Sequence, residues 1–257
     1  MKPLFFLFLL SITSLVKAQL LPLLSGVYNL DNINGRIDTA FKKKVKWEGS
    51  TTDLENLSVH VSTLAPGKTN HPPRAINDRE ELIIVKDGQL TITINDSSKM
   101  IGPGSLALIV AGDTQSFQNS SALPVTYYVL GFRSKSTVNI ARGKDGGGSL
   151  VKDWNELTVK KTAKGESRPG FDRPSSMFTR FETHVTTLNG SQESHPPHEH
   201  RAEEIMFLIK GNVIVSMGEE KLKAVPGSLI LARPNVLHNV TNAGAEPCTY
   251  FAIKWYN

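Results

Sequence analysis

Cysteine is almost absent from this chain: Cys248 stands alone among 257 residues, so no disulfide can form within it. Charge of one sign is scarce too, since the formal net charge is +5 and Lys2 and Lys17 of the N-terminal segment contribute to it. Basic residues form no long block beyond Lys42-Lys43-Lys44 with Lys46, and no aromatic or glycine-rich binding module accompanies them. Nucleic acid is therefore excluded as the expected partner. No apolar run reaches the roughly 20 residues that a membrane-spanning helix needs. Long amphipathic helical patterns are missing as well, which speaks against an all-helical body. At 39% hydrophobic and 21% charged residues, the chain is not a disordered one.

What is present begins with an address. Residues 1–18 open with Lys2, run through an apolar stretch from Leu4 to Leu10, and end in Val16-Lys17-Ala18. A short apolar core with small residues before the cut marks a cleaved secretory signal. No cysteine follows the cut, so no lipoprotein anchor is supported. The expectation is a soluble mature protein, secreted or periplasmic, without a stable membrane anchor. Sequons at Asn56, Asn95, Asn119, Asn189 and Asn239 would carry sugar only in a eukaryotic pathway.

The body is written twice. His60-Val-Ser-Thr-Leu64 returns as His184-Val-Thr-Thr-Leu188, and His71-Pro-Pro73 as His195-Pro-Pro197, both at an offset of 124. Glu80-Glu81 then matches Glu203-Glu204, Gly88 matches Gly211, Pro103-Gly104-Ser-Leu106 matches Pro226-Gly227-Ser-Leu229, and Asn119 matches Asn242, all at 123. The halves thus differ by one residue between His71 and Glu81. Each copy reads as short β-rich runs, such as Leu82–Val85 and Leu90–Ile94, punctuated by Asp-Gly, Asn-Asp and Gly-Pro-Gly turns. The predicted fold class is all-β, two tandem small barrels or sandwiches. The division expected is 1–18 signal peptide, 19–142 N-terminal half, 143–149 glycine-rich flexible linker, and 150–257 C-terminal half.

Chemistry gathers in the second half. In His198-Glu-His200-Arg-Ala-Glu-Glu204, strand parity sends His198, His200 and Glu204 to one face, and Glu203 to the other. Two imidazoles and a carboxylate converging on a barrel interior make a metal site, with His238 as the fourth candidate ligand. By the same parity, Met206 and Leu208 continue the ligand-bearing face and line a largely apolar pocket. The sequence names no catalytic base.

The pattern His-x-His-x3-Glu-x6-Gly (His198, His200, Glu204, Gly211), followed by Gly-x10-His-x3-Asn (Gly227, His238, Asn242), resembles the two signature motifs of the cupin superfamily. The resemblance covers roughly residues 45–257 and is similar to a secreted bicupin, two double-stranded β-helix (jelly-roll) barrels of which the second carries the metal motif. It implies a divalent transition metal (Mn, Fe, Ni, Cu or Zn) held by His198, His200, Glu204 and His238. Arg233 and Asn235 depart from the pattern, standing at turn positions where proline and glycine are usual.

The first half acts as an internal control. Counting back 123, Ala75, Asn77, Glu81 and Gln115 stand opposite the four ligands, so no transition metal is expected there. His60/His184 and His71/His195 occur in both halves, which favours packing or turn roles over ligation. Cys248 faces Val125 in the alignment and reads as a buried small hydrophobe. Asn242 is expected to steady its loop or the ligands, while Arg233, Tyr250 and Trp255 are candidate substrate contacts.

Four protein ligands leave positions open on an octahedral ion, as a reactive site requires. The expected function is an exported metal-dependent enzyme acting on a small oxygenated molecule, dioxygenase-like, or an isomerase or lyase. The alternative is a non-catalytic binding or storage module that uses the metal to hold a sugar acid or similar ligand. The expected partner is that small molecule, with a homo-oligomer left open.

Overall fold

A computed structural model of the chain describes residues 20–30 and 41–257, with side chains from Lys46 onward in the second stretch. Residues 1–18, expected as a signal peptide, and the side chains of Lys42–Lys44 lie outside the described residues. Among the described residues no helix is long and apolar enough to cross a membrane.

Strands dominate, as the turn-punctuated runs require. The N-terminal half pairs a six-stranded sheet with a four-stranded one, and the C-terminal half pairs a seven-stranded sheet with a three-stranded one. Every strand-to-strand pairing in these sheets is antiparallel. Two tandem all-β barrels result.

Alternation along the strands sorts side chains into three cores. On Glu80–Asp87, Ile83 and Val85 fill the N-terminal barrel, while Leu82 and Ile84 face outward. On Glu203–Lys210, Met206 and Leu208 fill the C-terminal barrel, while Ile205 and Phe207 face outward. The two outward faces meet each other rather than water. Tyr128 packs on Phe207 with centroids 4.2 Å apart, and Phe132 on Trp255 at 5.4 Å. Each such aromatic contributes about 1.5–3 kcal/mol by leaving water, so the large sheets are glued back to back.

Two carboxylates staple this interface reciprocally. Glu203 accepts from Thr51 Oγ1 at 2.6 Å, the backbone N–H groups of Thr52 and Asp53, and Trp255 Nε1. Its counterpart Glu80 accepts from Ser175 Oγ at 2.6 Å and the Ser176 N–H. Each half thereby clamps a loop of the other.

The halves also trade edge strands. Gly26–Asn29 precedes the first barrel yet pairs with Ser228–Ala232 of the second, with Gly26 facing Leu231. Leu150–Lys152 follows the first barrel and pairs with Leu106–Ile109 inside it, with Leu150 facing Leu108. The registers match at the repeat offsets, so the exchange is symmetric. Leu150–Lys152, expected to open the second copy, thus docks in the N-terminal sheet just as Gly26–Asn29 docks in the C-terminal one.

The 143–149 stretch, expected as a flexible connector, is held in place. It begins within the short helix Ile140–Asp145, capped by Asn139, whose side chain accepts from the Arg142 N–H. Arg173 donates to the carbonyls of Gly146 and Gly148, and Ser149 Oγ reaches Asp113 Oδ2 at 2.6 Å. Local glycine content hid these long-range partners.

Glycine is required at the hairpin turns Gly88 and Gly211, where φ is +80° and +79°. A Cβ there would come within 2.7 Å of Pro124 O and of Cys248 Cβ, respectively.

Candidate metal centre

The ligand-bearing segment is not one continuous strand. His198 forms an isolated bridge with His238: its N–H donates to His238 O at 3.2 Å, and its carbonyl accepts from the His238 N–H at 2.9 Å. The chain bends at Arg201 and Ala202 before entering Glu203–Lys210. Asn235 ties the two motifs together by donating its N–H to His200 O at 2.8 Å. It does so at φ +58°, a left-handed conformation that glycine adopts freely and asparagine tolerates. The departure from the usual turn glycine is thus absorbed without moving the ligands.

All four predicted ligands converge. The ligating atoms of His198, His200 and His238 lie within 4.8 Å of one another. His200 Nε2 and His238 Nε2 each stand 3.1 Å from the same oxygen, Glu204 Oε2. His238 and Glu204 are buried, while His198 and His200 are half-buried.

The Nδ1 atoms show what this convergence means. His198 Nδ1 faces His238 O at 3.3 Å, His200 Nδ1 faces Ala202 O at 2.9 Å, and His238 Nδ1 faces Val236 O at 2.7 Å. A carbonyl can only accept, so each Nδ1 carries a hydrogen and Nε2 is the nitrogen left to face an ion. At 3.1 Å, Nε2 of His200 and of His238 meets Glu204 Oε2 only across positive charge, a proton on the ring or a metal ion between them. A divalent metal ion fits that donor set. Burial alone would push the Glu204 carboxyl up, but the hydrogen bonds with His200 and His238 outweigh it and hold it well below the usual carboxylate range. His200 is raised by its hydrogen bond to Glu204, whereas burial, then the neighbouring His195 and His238, lower His198.

A cavity of about 540 Å³ opens onto His198, Glu204 and His238. Met206 lines it and Leu208 packs in the same interior, as parity required. Tyr250 reaches it too, but Arg233 and Trp255 do not. Trp255 is buried between the barrels, and Arg233 donates to Thr52 Oγ1 at 3.3 Å. Asn242 holds its own loop, donating to Leu188 O, Asn189 O and Glu246 O, as Asn119 does to Leu64 O and Leu123 O. Cys248 is buried in the barrel core.

His184 and His195 were expected to pack or to shape a turn, yet both line this cavity. His195 stacks edge-on against His198 with centroids 4.0 Å apart, while its Nδ1 meets Pro196 O at 2.9 Å. Lys164 and Lys254 at the cavity wall went unnoticed in the sequence. Strand parity could have found Lys254, four residues beyond Tyr250 on the same face. Lys164 comes from a distant hairpin and left no local signal.

In the N-terminal half, Glu81 and Gln115 occupy the positions of Glu204 and His238, with Gln115 Nε2 donating to Glu81 Oε2 at 2.8 Å. The other two counterparts are corrected. Arg74 pairs with Gln115 as His198 bridges His238, and Ile76 O accepts from the Gly112 N–H as His200 O accepts from Asn235. The one-residue deletion therefore lies after Ile76, and Arg74 and Ile76, not Ala75 and Asn77, stand opposite the two histidines.

Residues 184–254 match the family described as cupin domain, and residues 61–153 match the AraC-like ligand binding domain. Both halves carry the cupin fold. No curated protein matches the chain. Among solved structures, this pair of cupin barrels is similar to oxalate decarboxylase of Lactobacillus farciminis, in a formate complex. That match has 13% identity and a TM-score of 0.70, covering 90% of this chain and 86% of that one. A putative glyoxylate-induced protein of Pseudomonas aeruginosa matches at 12% identity and TM-score 0.71, covering 93% and 92%. Bacillus subtilis oxalate decarboxylase, whose Mn(II) centres are the subject of one structure, matches at 13% identity and TM-score 0.69, covering 91% and 78%. At these identities the likeness concerns the cupin fold.

Proposed function

We propose that the chain is an exported metal-dependent bicupin enzyme acting on a small oxygenated anion at the C-terminal barrel. The observation that carries this is the convergence of three imidazole nitrogens and the Glu204 carboxylate at one wall of an open cavity. A divalent ion bound there would act as a Lewis acid or bring dioxygen and substrate together, which suits dioxygenase-like, isomerase or lyase chemistry.

The protein's own groups do the rest. His198, His200, Glu204 and His238 would hold the ion, each imidazole oriented by its backbone carbonyl. Lys254, on the cavity wall and 3.7 Å from Glu182, and Lys164 supply positive charge for an anionic substrate. Met206 and the Tyr250 ring limit water at the base. Burial first, with Glu204 adding to it, pushes the Tyr250 hydroxyl above its ordinary value, so it stays protonated and able to donate a hydrogen bond. Export rests on the residue 1–18 leader, and the proposed location is secreted or periplasmic.

Elemental analysis of the mature protein, followed by turnover assays on small 2-oxo acids, dicarboxylates, enediols and catechols, tests the proposal. Stoichiometric metal with metal-dependent turnover is expected. Metal-free protein after purification in Mn, Fe, Ni, Cu and Zn would end it.

A further inference from the structure

The N-terminal barrel carries a guanidinium at one of the four metal-ligand positions, Arg74 opposite His198, and keeps a cavity. A cavity of about 70 Å³ opens there, lined in part by Arg74, Arg79, Glu81, Tyr127, His60 and His71. Arg74 stands at the register position of His198. No hydrogen bond or ion pair engages its guanidinium among the described residues.

Arg79 has a second story. In the C-terminal barrel the cation near the interior glutamate is Lys254, and the position equivalent to Arg79 is Ala202. In the N-terminal barrel Lys254 is replaced by Gly131, and the Arg79 stem lies over it, 3.7 Å from where a Cβ would stand. The two halves thus deliver a cation beside the same glutamate from different strands. Arg79 Nε sits 3.6 Å from Glu81 Oε1, an ion pair too long for a hydrogen bond, and this Nε is buried without a hydrogen-bond partner. Glu81 gives its other oxygen to Gln115. One carboxylate therefore faces two guanidinium groups, leaving one positive charge unmatched at the mouth.

We propose that the N-terminal barrel binds a small monocarboxylate between Arg74 and Arg79. Planar guanidinium forks match a carboxylate's two oxygens, and one negative charge restores neutrality. The cavity volume equals roughly two waters of liquid, enough for a carboxylate group with a short tail pointing past exposed Arg74. A divalent tetrahedral oxyanion is larger and overcharged for it. This site is independent of the C-terminal metal.

The test follows the arginine Nε–H resonances of the full mature protein by NMR during titration with formate and acetate. Ionic strength is fixed with chloride, and the His238→Ala and Arg74→Gln chains are run in parallel. Saturable shifts of Arg74 and Arg79 at millimolar ligand are expected. They should persist in His238→Ala and weaken at least tenfold in Arg74→Gln, whose side chain is exposed and whose melting temperature should hold. Absence of saturation, unchanged binding in Arg74→Gln, or equal shifts with sulfate would each overturn the proposal. Metal retained by His238→Ala would instead sink the C-terminal assignment and leave this one standing.

Discussion

Glu204 receives two imidazole nitrogens on one oxygen, so the ligand residues act as a unit and each is expected to be indispensable. His200→Ala or His238→Ala should lower bound metal at least tenfold, measured by elemental analysis of dialysed protein. Gln115→Ala, in the barrel lacking imidazoles at these positions, should leave metal content unchanged. Lys254→Met keeps the aliphatic stem but removes the charge beside the cavity. It should raise KM about tenfold for an anionic substrate while changing kcat less, as steady-state kinetics would show. The convergence of these four side chains was legible from spacing, because a motif stores geometry in residue offsets. The cavity wall was less so: His184 and His195 looked structural because both halves keep them, yet repetition only shows that both barrels keep a similar interior. Counterparts of His198 and His200 were misplaced by one residue because a deletion is invisible until backbone hydrogen bonds fix where it falls.

Single elements carry their own consequences. The turn that presents His238 depends on Asn235 at φ +58°. Asn235→Val should destabilise the protein by about 1–3 kcal/mol, as a β-branched residue is strained there, and Asn235→Gly should be tolerated; urea unfolding distinguishes them. The exchanged strand Gly26–Asn29 covers the edge of Ser228–Ala232. Deleting the chain through Asn29 should expose that edge, lower the melting temperature and promote self-association visible by light scattering. Sequence periodicity announced strands well, since alternation is local. It could not announce which sheet Gly26–Asn29 or Leu150–Lys152 would join, because both partners lie in a separate part of the chain and the pairing is decided by which edge lies open.

At the scale of the whole molecule, the buried Glu80 staple makes stability depend on pH. Burial pushes its carboxyl up to about 7, despite hydrogen bonds from Ser175 and Ser176. The folded state therefore keeps a proton that the unfolded chain releases near its ordinary value of 4.5. This contribution is full below pH 4.5 and is lost as pH rises to about 7, a change of about 3 kcal/mol. Glu80→Gln, neutral at every pH, should flatten that slope in denaturant titrations run across the same range.

Order of synthesis gives the traded strands a further meaning. Gly26 leaves the ribosome early, but its partner Leu231 arrives only near the far end of the chain. The earliest edge to be made is among the last to dock, so neither barrel reaches its final form by itself. Cutting the gene between its two copies would separate each barrel from a strand that the other fragment carries, and would yield halves that recover their fold only when mixed.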